Sequence, residues 1–201
     1  MKKPAALACS RLWGDKTRKT SRIPQFFVMS DILRLPNPSV VFGHLPKGSA
    51  VVLRHTDPAQ LEHLARTILP KARKQGFKVL ISNHVHLALR LGADGVHLSQ
   101  AALRLGLWRR QRAGFRPGFL ITAAHHGFRQ FPKTDIDAYL LSPVFFTKSH
   151  PKTKPMGIMR CVHMVKQSPK PVIGLGGITA KNVGRLKGSG LFGIAAIGAW
   201  L

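Results

Sequence analysis

A parallel (β/α)8 barrel, a TIM barrel with its eighth helix missing or truncated, is the fold class this sequence predicts. Eight short runs of β-branched, aromatic or aliphatic residues recur along the 201-residue chain. Each is bounded by Gly, Pro, Asn or Asp, as strands buried on both faces should be. Helix-like segments alternate with them, the mark of crossover connections between parallel strands. A hydrophobic content of 44% suits one domain core of this size. An open doubly wound sheet ranks second, because no GxGxxG follows the first strand.

In chain order, Met1 to Pro24 reads as a basic, weakly structured extension, and residues 25–201 as a single barrel domain. The expected strands are Phe26–Met29, Val51–Leu53, Lys78–Ile81, Gly95–Leu98, Phe119–Ile121, Ala138–Leu141, Val172–Leu175 and Ile194–Ile197. The clearest helix runs from Asp57 to Gln75. Asp57 offers an N-cap, Pro58 fits the first helical position, and Leu61, Leu64, Ile68 and Leu69 share a face. Further helices are expected at His84–Leu91, Gln100–Arg112, Pro155–Lys166 and Thr179–Lys187, with a short one near Asn37–Leu45. The chain closes directly after strand eight, so the eighth helix should be absent, and that side either left partly uncovered or covered by the amino-terminal segment or a second subunit. A homodimer would meet that need.

Charge narrows the partners. Thirty-two Lys and Arg against seven Asp and Glu give a net charge of +25, which favours phosphorylated or otherwise anionic small molecules. Nucleic acid is disfavoured, since the basic residues are scattered and no stacking-aromatic pattern accompanies them. The two cysteines, Cys9 and Cys161, form no CxxC, so neither a disulfide framework nor a cysteine zinc site is indicated, and a reducing cytoplasm is the expected location. The longest apolar stretch, Gly188 to Leu201, is too short for a membrane span, and the apolar run at Ala5 to Ala8 is too short for a signal peptide.

Barrel active sites form at the carboxyl ends of the strands. The residues expected there are Arg54 and His55, Asn83 and His84, Ser99 and Gln100, His125 and His126, the segment Ser142 to Lys154, Gly176 and Gly177, and Gly198. Cations and glycines dominate. The lack of acidic groups argues against paired-carboxylate hydrolysis and an oxygen-ligand magnesium site. Gly174-Leu175-Gly176-Gly177-Ile178-Thr179 reads as a phosphate cradle leading into a helix, with Gly198 completing it; a tight turn needing positive φ is the plainer alternative. The loop from Ser142 to Gly157, rich in lysine and hydroxyls, could close over a polyanion or stand as an ordinary solvated flap.

Three motifs, in order, make the chain resemble the thiamine phosphate synthase and thiazole tautomerase superfamily from about Phe26 to Leu201. Gly92-Ala93-Asp94-Gly95-Val96-His97-Leu98-Ser99-Gln100 is similar to GADGVHLGQ, Ser142-Pro143-Val144-Phe145-Phe146-Thr147-Lys148 to GPVFPTK, and Val172-Ile173-Gly174-Leu175-Gly176-Gly177-Ile178 to VVAIGGI. The resemblance implies coupling of an aminopyrimidine methyl diphosphate to a thiazole phosphate, with release of pyrophosphate. It implies catalytic roles for Lys148 and Arg54, contacts to the pyrophosphate and pyrimidine from Asn83 and Thr147, and a thiazole-phosphate site at Gly176, Gly177 and Gly198.

Magnesium is expected of the family, yet His84 stands where an aspartate follows the asparagine. Ala101 and Ala102 stand where a second aspartate belongs, so no protein metal ligand is assigned. Other departures are Val52, Thr56 and Ala123 in place of family glutamine, lysine and serine. At the position of the histidine that the tautomerase branch uses stands Ser142, so a proton-transfer group would come from His125, His126 or His150. Two alternatives accompany the synthase reading: a degenerate member that binds or isomerises a thiazole phosphate without coupling, and a basic polyanion-binding protein.

Overall fold

The computed structural model describes residues 21–127, 130–147, 153–197 and 199–200. Eight strands, β1 (Phe26–Met29), β2 (Ala50–Leu53), β3 (Lys78–Ser82), β4 (Gly95–Leu98), β5 (Leu120–His125), β6 (Ala138–Leu141), β7 (Val172–Leu175) and β8 (Gly193–Ala196), close into a barrel in sequence order. All pairings are parallel, including β1 with β8, where Phe27 lies opposite Ala195. Closure leaves no sheet edge exposed. Alternate residues split into two apolar layers. Phe27, Val52, Leu80, Leu140 and Ile173 fill the interior, while Val28, Val51, Val79, Val96 and Tyr139 face the outer layer.

Four α-helices lie between strands: α1 (Pro58–Lys74), α2 (Val85–Arg90), α3 (Gln100–Leu105) and α4 (Gly157–Gln167). The start of α1 is as expected: Asp57 accepts from the N–H groups of Ala59 (2.7 Å) and Gln60 (3.3 Å) ahead of Pro58. Elsewhere the helices are shorter than the sequence pattern. The expected helix over 100–112 stops at Gly106, whose φ of 66° makes a left-handed C-cap, and a 3-10 helix follows over Leu107–Gly114. The expected helix over 179–187 is reduced to a 3-10 turn, Val183–Leu186. There the Asn182 side chain takes the Thr179 N–H (2.8 Å) and donates to Gly177 O (2.8 Å). Asn37–Leu45 likewise holds a 3-10 helix, Pro38–His44.

β5 extends beyond the expected Phe119–Ile121 to His125. The run Thr122-Ala123-Ala124 has weak strand propensity, but pairing with β4 and β6 on either side overrides it. At the other end of the barrel, Arg22 and Gln25 are already tied down: Lys78 Nζ donates to Arg22 O (2.8 Å), the Arg22 guanidinium pairs with Asp137, and Ile194 N–H donates to Gln25 O (2.8 Å). Of the extension expected over 1–24, residues 1–20 lie outside the described residues, and Arg22 is held against the barrel.

After β8, Trp200 is wholly buried on the outer side of β1. Its indole N–H donates to Phe27 O (3.2 Å), and its ring meets Phe26 edge-on with centroids 6.1 Å apart. Val41 and Phe42 of the 3-10 helix belong to the same outer cluster. Trp200 and the 3-10 helix Pro38–His44 thus contribute apolar cover on this side of the barrel.

Candidate functional site

Because every strand runs the same way, the eight carboxyl ends form one rim, and strand alternation decides which residues point into it. Ala50 and Val52 are interior, which places Arg54 on the inward series; Leu80 does the same for Ser82. The register pairs Leu53 with Ile81, Ser82 with His97 and His97 with Thr122. Arg54, Ser82, His97 and Thr122 therefore line up across four neighbouring strands.

Arg54 is held through its backbone: its N–H donates to Ser30 Oγ (2.7 Å), and Ser30 Oγ donates to Arg54 O (3.3 Å). Its exposed guanidinium joins none of the six ion pairs among the described residues.

Two strands along the same row, His97 lies buried with Nδ1 2.9 Å from Thr122 Oγ1. Burial first, and the Arg54 charge second, hold its pKa down to about 3. At neutral pH His97 is an uncharged hydrogen-bonding support, a role hidden in the sequence because it sits inside an apolar strand. Alternation between Val96 and Leu98 was the available signal.

Asn83 sits at the end of β3 with φ 61°, a left-handed conformation that asparagine tolerates better than most residues. Its Oδ1 accepts from Ser99 N–H (2.7 Å) and its N–H donates to His97 O (2.9 Å), tying the turn after β3 to that after β4. His84 lines a cleft of about 440 Å3 with Asn83, His86, Arg90 and Gln111. A second cleft, about 250 Å3, lies beside Arg54 and is lined by Ser30, His55, Gln60 and His63.

The histidines after β5 separate sharply. His125 faces outward, stacked on Phe131 at 4.1 Å with Nδ1 accepting from Gly127 N–H (3.1 Å), and burial lowers its pKa. The expectation that it might serve the site is corrected: alternation turns it into the outer core. His126 points the other way, exposed at the rim with Nδ1 3.3 Å from Ser142 Oγ. His150 lies outside the described residues.

The segment after β6 and the turn after β7 are built against each other. Val144 N–H donates to Leu175 O (2.9 Å) and Phe145 N–H to Gly176 O (3.0 Å), while Met156 and Gly157 N–H groups return to Pro143 O and Val144 O (both 3.0 Å). The excursion carrying Thr147 is thus pinned at its neck. Gly176 and Gly177 have φ of 96° and 65°, and a Cβ on Gly177 would stand 2.1 Å from Phe146 O. The glycines are required by the turn and by the close approach of the loop. With no helix starting directly after them, the expected helix-dipole contribution to a phosphate cradle is lacking, and backbone N–H groups of the half-buried turn are what it can offer. Thus Arg54, Asn83, Thr147, Gly176 and Gly177 share one rim, whereas Lys148 and Gly198 lie outside the described residues.

Six of the seven acidic residues are described, and each already has a partner, although Asp31 lines the cleft beside Arg54 and Glu62 the cleft at His84. Asp31 binds Arg34, whose hydrogen bond holds its pKa to about 2; Asp57 caps α1; Glu62 binds Arg66 and Arg90. Asp94 accepts from Val79 N–H and faces Arg116, Asp135 pairs with Arg112, and Asp137 accepts from Ile121 N–H and pairs with Arg22. The described residues contain no cluster of three or more metal-ligating side chains. Magnesium needs hard oxygen donors and imidazole is a poor substitute, so this donor set does not fit a family-type magnesium site.

Closed parallel strands, a cationic rim and a glycine turn beneath a pinned loop define a small TIM-type barrel with its candidate site at the carboxyl ends of the strands. Residues 39–200 match the family model for thiamine monophosphate synthase. The chain belongs to that family. It is 32% identical over 162 residues to "Putative thiamine-phosphate synthase 2" of Aquifex aeolicus (strain VF5), covering 78% of this chain and 86% of the relative. It is 29% identical over 136 residues to the thiamine-phosphate synthase of Laribacter hongkongensis (strain HLHK9), covering 67% of this chain and 64% of the relative, just under two thirds of that protein's length. Among solved structures, thiamine phosphate pyrophosphorylase from Pyrococcus furiosus superposes with a TM-score of 0.70 at 20% identity, over 86% of this chain and 85% of that one, which shows the fold. Among the described residues, no helix is long and apolar enough to cross a membrane.

Proposed function

We propose that the protein is a thiamine phosphate synthase-type transferase. In the reaction the C–O bond between the pyrimidine methylene and its diphosphate breaks, and the bonding electrons leave with pyrophosphate. The ring nitrogen of the thiazole phosphate then donates its lone pair to the methylene carbon, forming the C–N bond of thiamine phosphate. The observation that carries this reading is the meeting of an ion-pair-free Arg54, Asn83, Thr147 and the Gly176-Gly177 turn on one rim in a chain of this family.

Each residue has a definable part. Arg54, with Lys148 from the β6 loop, stabilises the negative charge that develops on the departing diphosphate, the main catalytic contribution in a reaction of this type. Asn83 Nδ2 and the Thr147 hydroxyl orient the pyrimidine end. Backbone N–H groups at Gly176 and Gly177, with Gly198, receive the thiazole phosphate.

Assaying thiamine phosphate through its fluorescent oxidised product tests the assignment. Lys148→Ala should lower turnover about 10²- to 10³-fold, the usual consequence of removing one group that stabilises developing charge. An unchanged rate removes Lys148 from the site.

A second reading, binding or isomerisation of a thiazole phosphate without coupling, is favoured by one observation: His126 beside Ser142 puts a group able to transfer protons at the rim. Retained thiazole-phosphate binding with no turnover of the diphosphate would select it.

A further inference from the structure

The acidic residues and the rim show two sides of one pattern. Carboxylates that could hold a divalent ion are spent as structural acceptors, notably Asp94 and Asp137, which precede β4 and β6 and each take a backbone N–H from the adjacent strand. Arg54 forms no ion pair among the described residues, and the carboxylate that shares its cleft, Asp31, is bound to Arg34. His84, in the place of a metal carboxylate, opens on the cleft that also holds His86 and Arg90. Glu62 lines that cleft too but is held by Arg66 and Arg90, so a divalent ion would find no unpaired carboxylate among the described residues there, whereas an anion would meet the Arg54 charge beside it.

We infer that this rim neutralises a diphosphate with the protein's own cations, Arg54 foremost, and binds it without a divalent metal. The inference rests on the reading that the substrate is a diphosphate. It assigns to Arg54 the charge neutralisation that a metal ion would otherwise provide. His97, buried and neutral in the same row and fixed to Thr122, adds no second positive charge beside Arg54. A guanidinium suits this use because it stays charged at any working pH and presents paired N–H donors to phosphate oxygens.

The test is calorimetric titration of the full chain with inorganic pyrophosphate, once in EDTA and once in Mg2+, at physiological ionic strength so that the +25 charge contributes little at long range. Two variants accompany it, Arg54→Gln and Arg104→Gln; Arg104 is an exposed cation of α3 away from the rim. Thiazole phosphate is titrated in parallel.

The expected result is saturable binding of similar strength in EDTA and Mg2+, weakened about 10- to 100-fold by Arg54→Gln and unchanged by Arg104→Gln. Binding that appears only with Mg2+ overturns the inference and leaves the synthase reading standing. Metal-independent binding that both variants weaken equally also overturns it, because diffuse surface charge would then be the cause. Absence of pyrophosphate binding under both conditions, with thiazole phosphate still bound, overturns the inference and the diphosphate-substrate reading together.

Discussion

Gly177→Ala tests how the loop after β6 is tied to the site. The residue lies at φ 65°, where a Cβ costs about 1–2 kcal/mol. That Cβ would stand 2.1 Å from Phe146 O and 2.8 Å from Phe145 C and O, all backbone atoms with no flexible end to swing aside. The loop must therefore lift, loosening the hydrogen bonds from Val144 to Leu175 O and from Phe145 to Gly176 O. Each contributes about 0.5–1.5 kcal/mol net. Together these effects predict a loss of about 2–5 kcal/mol.

Gly184→Ala is the matched control. It lies in a 3-10 turn with nothing within 4 Å of its would-be Cβ and without a positive φ, so it should be neutral or slightly stabilising. Urea unfolding followed by circular dichroism measures both, and titration with thiazole phosphate reads the site. If Gly177→Ala unfolds within about 0.5 kcal/mol of wild type, the close packing of loop on turn is not what the glycine serves.

Other consequences follow from the core and its ionisable groups. Trp200→Ala should cost about 3–5 kcal/mol, since it empties a fully buried site and removes the donor to Phe27 O; thermal unfolding checks this. His97 is neutral in the folded chain down to about pH 3, while an unfolded histidine gains its proton near 6.5. Unfolding therefore takes up a proton between these values, and stability should fall by about 1.4 kcal/mol for each pH unit below 6.5 on account of this residue. His97→Asn, which offers Thr122 an amide in place of Nδ1, should remove about one proton from that dependence in urea melts at pH 7 and pH 5. An unchanged slope would deny His97 its buried neutral state. The Cys161 thiol, buried in the outer core and pushed up to about 11, should resist alkylation in the native protein and react only on unfolding.

Much of the barrel was readable because its strands are short apolar runs between turn residues, and four have the expected bounds: Phe26–Met29, Gly95–Leu98, Ala138–Leu141 and Val172–Leu175. Helix ends were less legible. Periodicity overran Gly106, and it could not reveal that Asn182 would bind its own turn and prevent a helix over 179–187. At the rim, the order of residues after the strands identified Arg54 and Asn83, but closure was needed to show that His125 faces the outer core and His126 the mouth. Sequence also marked how few carboxylates follow the strands, but passed over Asp31 after β1, which lines the cleft beside Arg54. Only the fold explains where they went: into caps, arginine pairs and backbone acceptors at Asp94 and Asp137.

The most direct measurement of the proposed chemistry is a product count with purified full chain, aminopyrimidine methyl diphosphate and thiazole phosphate, quantifying thiamine phosphate and pyrophosphate together in wild type and in Arg54→Gln. Coupling at this rim predicts equal amounts of the two products, formed many-fold more slowly in the variant. Pyrophosphate without thiamine phosphate, or neither product while thiazole phosphate remains bound, would contradict it.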